Sequence, residues 1–238
     1  MQITFLGTST GVPMAGRRCS CTMVEVDGHY YIIDLGMLVI EEFRTRGLPV
    51  ESIRGVFLTH MHSDHMGGLY PFTDMLGWYF KEADPVICLP NMEIVQLFED
   101  WYAATGTTRR PLQYRQTQPG VIFDDGTVKV TAFPTQHCPN AYSLLLEGEG
   151  KRVFFTGDMK DPAIDFPAAV NRQEIDLAIC EAAHFAATDY APVLAESKIR
   201  RVCINHYSAW NMTNIQTLSQ DVPQLNVTVV TDGTEIRI

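Results

Sequence analysis

No uninterrupted apolar run in the 238 residues is long enough to span a bilayer, and residues 1–6 (MQITFL) carry neither the basic stretch nor the long apolar stretch of a secretion signal. Both absences predict a cytoplasmic protein. Basic residues are scarce, 18 Lys and Arg against 28 Asp and Glu, for a formal net charge of -10. That balance argues against a broad nucleic-acid-binding face and favours small substrates. Cysteines are few and scattered, at 19, 21, 88, 138, 180 and 203. Several lie inside apolar, strand-like runs, which reads as reduced thiols rather than a disulfide framework. No repeat, low-complexity linker or charge block marks a boundary, so a single domain over residues 1–238 is expected, with the 46% hydrophobic content of an ordinary core.

What is present is an alternation of short β-rich runs and amphipathic stretches. "QITFLG", "CTMVEV" and "YYIIDLG" predict an opening meander, and "MLVIEEFRTRG" has helical spacing ending at Gly47. "IRGVFLTH" reads as a buried strand, and "GGLYPFTDMLGWYFKE" as a helix with Pro71 in or near its first turn. Further strands are predicted at "VICLP", "LQYRQ", "TVKVTAFPT", "AYSLLLEGEGKRVFFTG", "IDLAICEA", "RRVCINH" and "NVTVVTDGTEIRI", with helices at 91–104, 163–172, 190–197 and 212–221. Within them "LLLEGEGKRVFF" is the clearest hairpin. The pattern predicts an α/β protein in which two mixed sheets pack face to face under outer helices, a four-layer αββα sandwich.

Between the buried strand and the helix lies "THMHSDHMGG", which places His60, His62, Asp64 and His65 within six positions. Imidazoles so crowded need a shared ligand, because they repel once protonated and each brings a donor and an acceptor that must be satisfied. Residues two apart in an extended segment project to one side, so His60 and His62 can grip one ion while Asp64 and His65 turn toward a second. Four other histidines remain. His29 reads as a turn residue on the surface. His137 and His206 follow predicted strands and would complete the first and second sites respectively. Two divalent cations about 3.5–4 Å apart need an anion between them, and Asp158 in "VFFTGD" is the best bridging carboxylate.

This set, in this order, resembles the metallo-β-lactamase fold superfamily across essentially the whole chain, from "GTSTGVP" to His206. The resemblance implies a dinuclear metal-dependent hydrolase and gives Asp34 in "YIIDLG" a supporting role beside the metal ligands. Taken alone, Asp34 reads equally as a cap for the helix near Met37. The imidazole at position 62, where the di-iron members resemble H-x-E-x-D-H, favours zinc, or manganese, acting as a Lewis acid.

Within the superfamily the chain is most similar to the ribonuclease Z-like and phosphodiesterase branch, through "GTSTGVP", "FLTHMHSDHMGGL", "CEAAHF" and "NHYS". Ribonuclease Z proper inserts a tRNA-gripping arm between the lone histidine and the bridging aspartate. Here only 20 residues separate His137 from Asp158, and the basic loop shrinks to Arg17 and Arg18. A small phosphodiester or short RNA end is therefore expected as substrate, attacked by a metal-activated hydroxide that Asp64 or Asp158 orients or deprotonates. His184 is the candidate general acid, against a packed loop histidine, and Glu181 would orient it. Tyr207, Ser208 and Trp210 line the pocket or simply pack beside it. The competing functions are tRNA 3′-end processing without the arm, a lactonase or other ester hydrolase, and a non-catalytic metal-stabilised binding protein. Aromatic residues of the helix expected over 66–82 (Tyr70, Phe72, Trp78, Tyr79 and Phe80) suggest a homodimer.

Overall fold

The computed structural model describes all residues 1–238 and contains two seven-stranded sheets. The first is ordered β14-β1-β2-β3-β4-β5-β6, built from β14 (Glu235–Arg237), β1 (Gln2–Gly7), β2 (Cys21–Val26), β3 (His29–Ile33), β4 (Ile53–Phe57), β5 (Val86–Leu89) and β6 (Gln113–Gln116). The second runs β13-β12-β11-β10-β9-β8-β7, from β13 (Val227–Val229), β12 (Val202–Tyr207), β11 (Leu177–Ala182), β10 (Lys151–Phe155), β9 (Ala141–Gly148), β8 (Val128–Thr135) and β7 (Gly120–Asp124). Each sheet begins as an antiparallel meander and continues with parallel strands joined by helical crossovers.

The layers follow from which side chains each strand buries. Ile3, Phe5, Val24, Tyr31 and Phe57 of the first sheet meet Val130, Leu144, Val153 and Phe155 of the second, forming the core between the sheets. The opposite face of the first sheet packs on α1 (Val39–Arg46), α3 (Leu69–Trp78) and α4 (Glu93–Thr105) through Phe43, Phe72 and Phe98. The outer face of the second sheet is covered by α7 (Ala191–Ala195) and α8 (Met212–Asp221) through Leu194, Ile215 and Leu218. This is the αββα sandwich the sequence predicts, and no helix in it is long and apolar enough to cross a membrane. Because strands buried on both faces cannot alternate polar and apolar residues, the central ones read as continuous apolar runs.

The predicted hairpin is present, with Lys151 facing Gly148 across a two-residue turn of Glu149 and Gly150, both at positive φ. That geometry matches the twist of the flanking strands. Several expectations need correction. β7 was not anticipated, since "GVIFD" is short and follows Pro119. The helix expected over 163–172 is two single turns, α5 (Pro162–Asp165) and α6 (Ala168–Asn171), because Pro167 forces Phe166 into extended backbone. The helix expected over 190–197 is a 3-10 turn, Ala187–Tyr190, followed by the short α7. Of the segment 66–82 only Leu69–Trp78 forms α3, Met66 closing the preceding single turn α2 (Ser63–Met66), and Phe72 faces the core rather than solvent. Trp78 and Tyr79 are exposed.

Candidate metal centre

The C-terminal ends of β3, β4, β8, β10, β11 and β12 all reach one rim of the sandwich, so residues far apart in sequence arrive there together. Two of them sit in the left-handed region despite having a Cβ: Asp34 at φ 62° and His206 at φ 46°. Such strain persists only where surrounding contacts over-determine it. For Asp34 those contacts are visible. Its backbone N–H donates to Phe57 O at 3.0 Å, and its carboxylate accepts from Thr59 N at 2.8 Å and from His65 Nδ1 at 2.7 Å. It does not cap α1, whose N-cap residue is Leu38. At His206 the pairing of β11 with β12 shifts register, Cys180 facing Ile204 but Ala182 facing Tyr207. The extra residue is a bulge, which re-aims the side chain there. His206 Nδ1 donates to Ser9 O at 2.9 Å.

The side chains singled out in the sequence converge as two groups. In the first, His60 Nε2 and His137 Nε2 lie 3.0 and 3.1 Å from His62 Nδ1, and each is 3.6 Å from Asp158 Oδ2. In the second, His65 Nε2 is 3.6 Å from Asp64 Oδ2 and 3.4 Å from Asp158 Oδ1. His206 Nε2 is 3.7 and 3.5 Å from the same two oxygens. Ligand atoms about 2.0–2.1 Å from a tetrahedral ion are about 3.4 Å apart, so each group has the edge lengths of one coordination shell. The buried carboxylate of Asp158 contributes one oxygen to each. His65 Nε2 is fully buried without a hydrogen-bond partner, and two ring nitrogens crowd His62 Nδ1. A cation would satisfy both deficits, so the residues present fit two metal ions. The fold and this cluster point to divalent metal binding.

Electrostatics differ between the groups in the metal-free protein. Burial lowers His60, to about 2, and also lowers His137, so both stay neutral and ready to ligate. Burial works against protonating His65 and His206 too, but facing Asp158 outweighs it and raises both, His65 well above the usual histidine range. Burial would push the Asp158 carboxyl up, yet His65 and His206 hold it well below the usual carboxylate range.

His184 stands at the edge of the cluster, half-exposed, with Nδ1 bonded to Glu181 Oε2 at 2.7 Å and Nε2 3.7 Å from Asp158 Oδ2. The Glu181 hydrogen bond raises its pKa against the effect of burial. Glu181 is buried and also accepts from Met159 N at 2.6 Å. Tyr207 is buried in the outer core of the second sheet with the Arg17 guanidinium 4.0 Å above its ring. Ser208 is half-buried, and Trp210 is exposed. His29 lies outside the cluster, beside Arg54. Two contributors carried no readable signal: the hydroxyl of Thr59, 3.2 Å from His60 Nδ1, and the carbonyl of Ser9. Ser9 lies in the "GTST" opening, but a carbonyl is not a residue type.

The architecture and the arrangement of this rim are those of the metallo-β-lactamase fold. The chain belongs to the family described as anti-Pycsar protein Apyc1, which it matches over residues 1–216. It is 31% identical to ribonuclease Z of Synechococcus sp. (strain CC9311) over 156 residues, 62% of this chain and 49% of that protein. The chain thus spans about half the length of the curated relatives it matches. Among solved structures it superposes on human tRNase Z, short form, with a TM-score of 0.78 at 20% identity, covering 100% of this chain and 99% of that one. The metallo-β-lactamase fold protein YhfI from Bacillus subtilis gives a TM-score of 0.78 at 17% identity, covering 99% and 98%.

Proposed function

We propose that the protein is a dinuclear metal-dependent phosphodiesterase acting on a small phosphodiester. The observation that carries the reading is the pair of ligand groups, His60, His62 and His137 in one and Asp64, His65 and His206 in the other, with Asp158 offering an oxygen to each and His184 Nε2 3.7 Å from Asp158. His60, His62, His137 and Asp158 would hold one ion, and Asp64, His65, His206 and Asp158 the other. The mixed nitrogen and oxygen donors suit zinc first and manganese second. Bound there, the ions would supply Lewis-acid charge toward a phosphoryl group and a lowered pKa for water.

The chain's own residues supply the rest. Asp34 and the Ser9 carbonyl fix the rings of His65 and His206 by binding their Nδ1 atoms, leaving each Nε2 directed inward. Asp64 or Asp158 would orient the attacking water or accept its proton. His184, its Nδ1–H donated to Glu181, keeps Nε2 on the open side of the cluster, where it protonates the departing alkoxide oxygen.

A small substrate is favoured over tRNA because β9 turns into β10 through only two residues, leaving no arm between His137 and Asp158. The net charge of -10 gives no compensating field for a polyanion. Six free cysteines fit a thiol-reducing compartment, the cytoplasm. Exposed Trp78, Tyr79, Leu97 and Trp101 support a homodimer, and a sedimentation run showing only monomer would dispose of it. The test of the activity is hydrolysis of bis(p-nitrophenyl) phosphate by protein stripped and reloaded with zinc or manganese, beside His65→Ala. Metal-restored turnover lost in the mutant supports the reading and moves the search to cyclic nucleotides and short RNA ends. No turnover with both shells filled transfers the weight to lactones and thioesters.

A further inference from the structure

Asp165, at the end of the four-residue α5, is 5% exposed and forms no ion pair, an unusual position for a carboxylate. Its own helix does not need it. Asp161 caps α5 by accepting from Ala163 N at 2.8 Å, and Asp165 N closes the turn onto Asp161 O at 2.9 Å. The Asp165 carboxylate instead accepts from Gln136 N at 2.8 Å through Oδ1 and, through Oδ2, from Lys160 N at 2.7 Å and, at the longer 3.4 Å, from Asp161 N at the start of its own helix.

Those donors flank two of the predicted ligands. Gln136 immediately precedes His137, and Lys160 follows Asp158 by two residues. One buried carboxylate therefore ties the loop leaving β8 to the loop leaving β10. Thr135 Oγ1 adds a second tie by donating to Asp158 O at 2.9 Å. On the other flank of Asp158, Met159 N is fixed by Glu181. Charged acceptors hold backbone N–H groups more strongly than neutral ones, and a buried N–H left without its acceptor is costly.

We infer that Asp165 is a positioning residue for the first metal shell, setting the separation of His137 from Asp158 without touching an ion. The inference rests on the dinuclear reading. It assigns Asp165 no part in the second shell, because His65 and His206 are held by Asp34 and the Ser9 carbonyl, and the shared Asp158 stays fixed through Thr135 and through Glu181 on Met159 N, so the loss falls on His137.

The experiment is zinc titration of metal-free wild type, Asp165→Ala and Asp165→Asn by calorimetry with a competing chelator, and 113Cd NMR of the loaded proteins. Wild type is expected to bind two ions. Both variants are expected to keep one site at wild-type affinity and to lose about ten- to a hundredfold at the other, the usual cost of removing a ligand's supporting contact. The weakened 113Cd resonance should be the one His137→Ala removes. Amide exchange of Gln136 and Lys160 in the metal-free protein should quicken in Asp165→Asn, a readout independent of loading should Asp165→Ala fail to fold. Two unchanged sites, or two sites weakened equally along with thermal stability, would overturn the positioning role. A wild type that binds no metal pair would instead remove the dinuclear reading beneath it.

Discussion

His65 Nδ1 lies 2.7 Å from Asp34 Oδ2, and the opposite nitrogen of the same ring is buried with no partner. The carboxylate fixes the ring orientation of His65 and, on the proposed dinuclear reading, would present Nε2 to an ion in the second shell. Asp34→Ala should lower zinc affinity at that shell by about ten- to a hundredfold. Asp34→Asn should lose less, because the amide oxygen still accepts from the ring. Chelator competition measures both, and equal affinities in all three proteins would remove Asp34 from the site.

The two shells should load with different pH dependence. In the metal-free protein burial lowers His60 and His137, whereas Asp158 raises His65 and His206, so the second pair holds its protons to higher pH than the first. A metal entering the second shell must displace those protons, so its affinity rises with pH up to the raised histidine values, while the first shell varies less. Calorimetry in buffers of different ionisation enthalpy should show more proton release in one of two binding events than in the other. Equal release, or none, would contradict the assignment.

His184 donates to the leaving group in the proposed reaction, so its value depends on how poor that group is. His184→Ala should slow diesters with an alkoxide leaving group by about a hundred- to ten-thousandfold in kcat. Turnover of bis(p-nitrophenyl) phosphate, whose phenolate leaves unaided, should change far less. Glu181→Gln should show the same selectivity with a smaller loss, because it weakens the contact that raises the His184 pKa. A uniform loss across leaving groups would place His184 in binding or folding instead.

The sandwich and the histidine rim were legible in the sequence for one physical reason. Buried strands must be apolar throughout, and ligand residues cluster at their ends, so "GVFLTH" and "VFFTGD" announce both strand and site. What escaped were effects with no residue signature. The bulge that turns His206 inward is a register event between β11 and β12. The Ser9 carbonyl is backbone. Asp165 reads as a helix residue until Gln136, 29 positions away, is seen to donate to it. Aromatic spacing misled at Phe72, where a helix that covers a sheet must spend its largest side chains inward.

Gly157, one residue before Asp158, has φ 56°, and a Cβ placed on it would lie 2.6 Å from Tyr142 O and 3.1 Å from the Thr59 Cβ. Thr59 O accepts from Tyr142 N at 2.9 Å, and Thr59 also binds Asp34, so one methyl group would press on the supports of both shells. Left-handed strain costs about 1–2 kcal/mol, and forcing atoms into filled space about 1–3 kcal/mol more. Gly157→Ala should therefore destabilise the metal-free protein by about 2–5 kcal/mol in urea titration. It should weaken zinc at both sites as well. The control is Gly126→Ala, which has φ 83° but no atom near its Cβ. That variant pays only the backbone part and should leave zinc affinity unchanged. If the two variants cost the same and bind zinc alike, the packing around Gly157 does not hold the site together, and backbone strain alone sets its requirement for glycine.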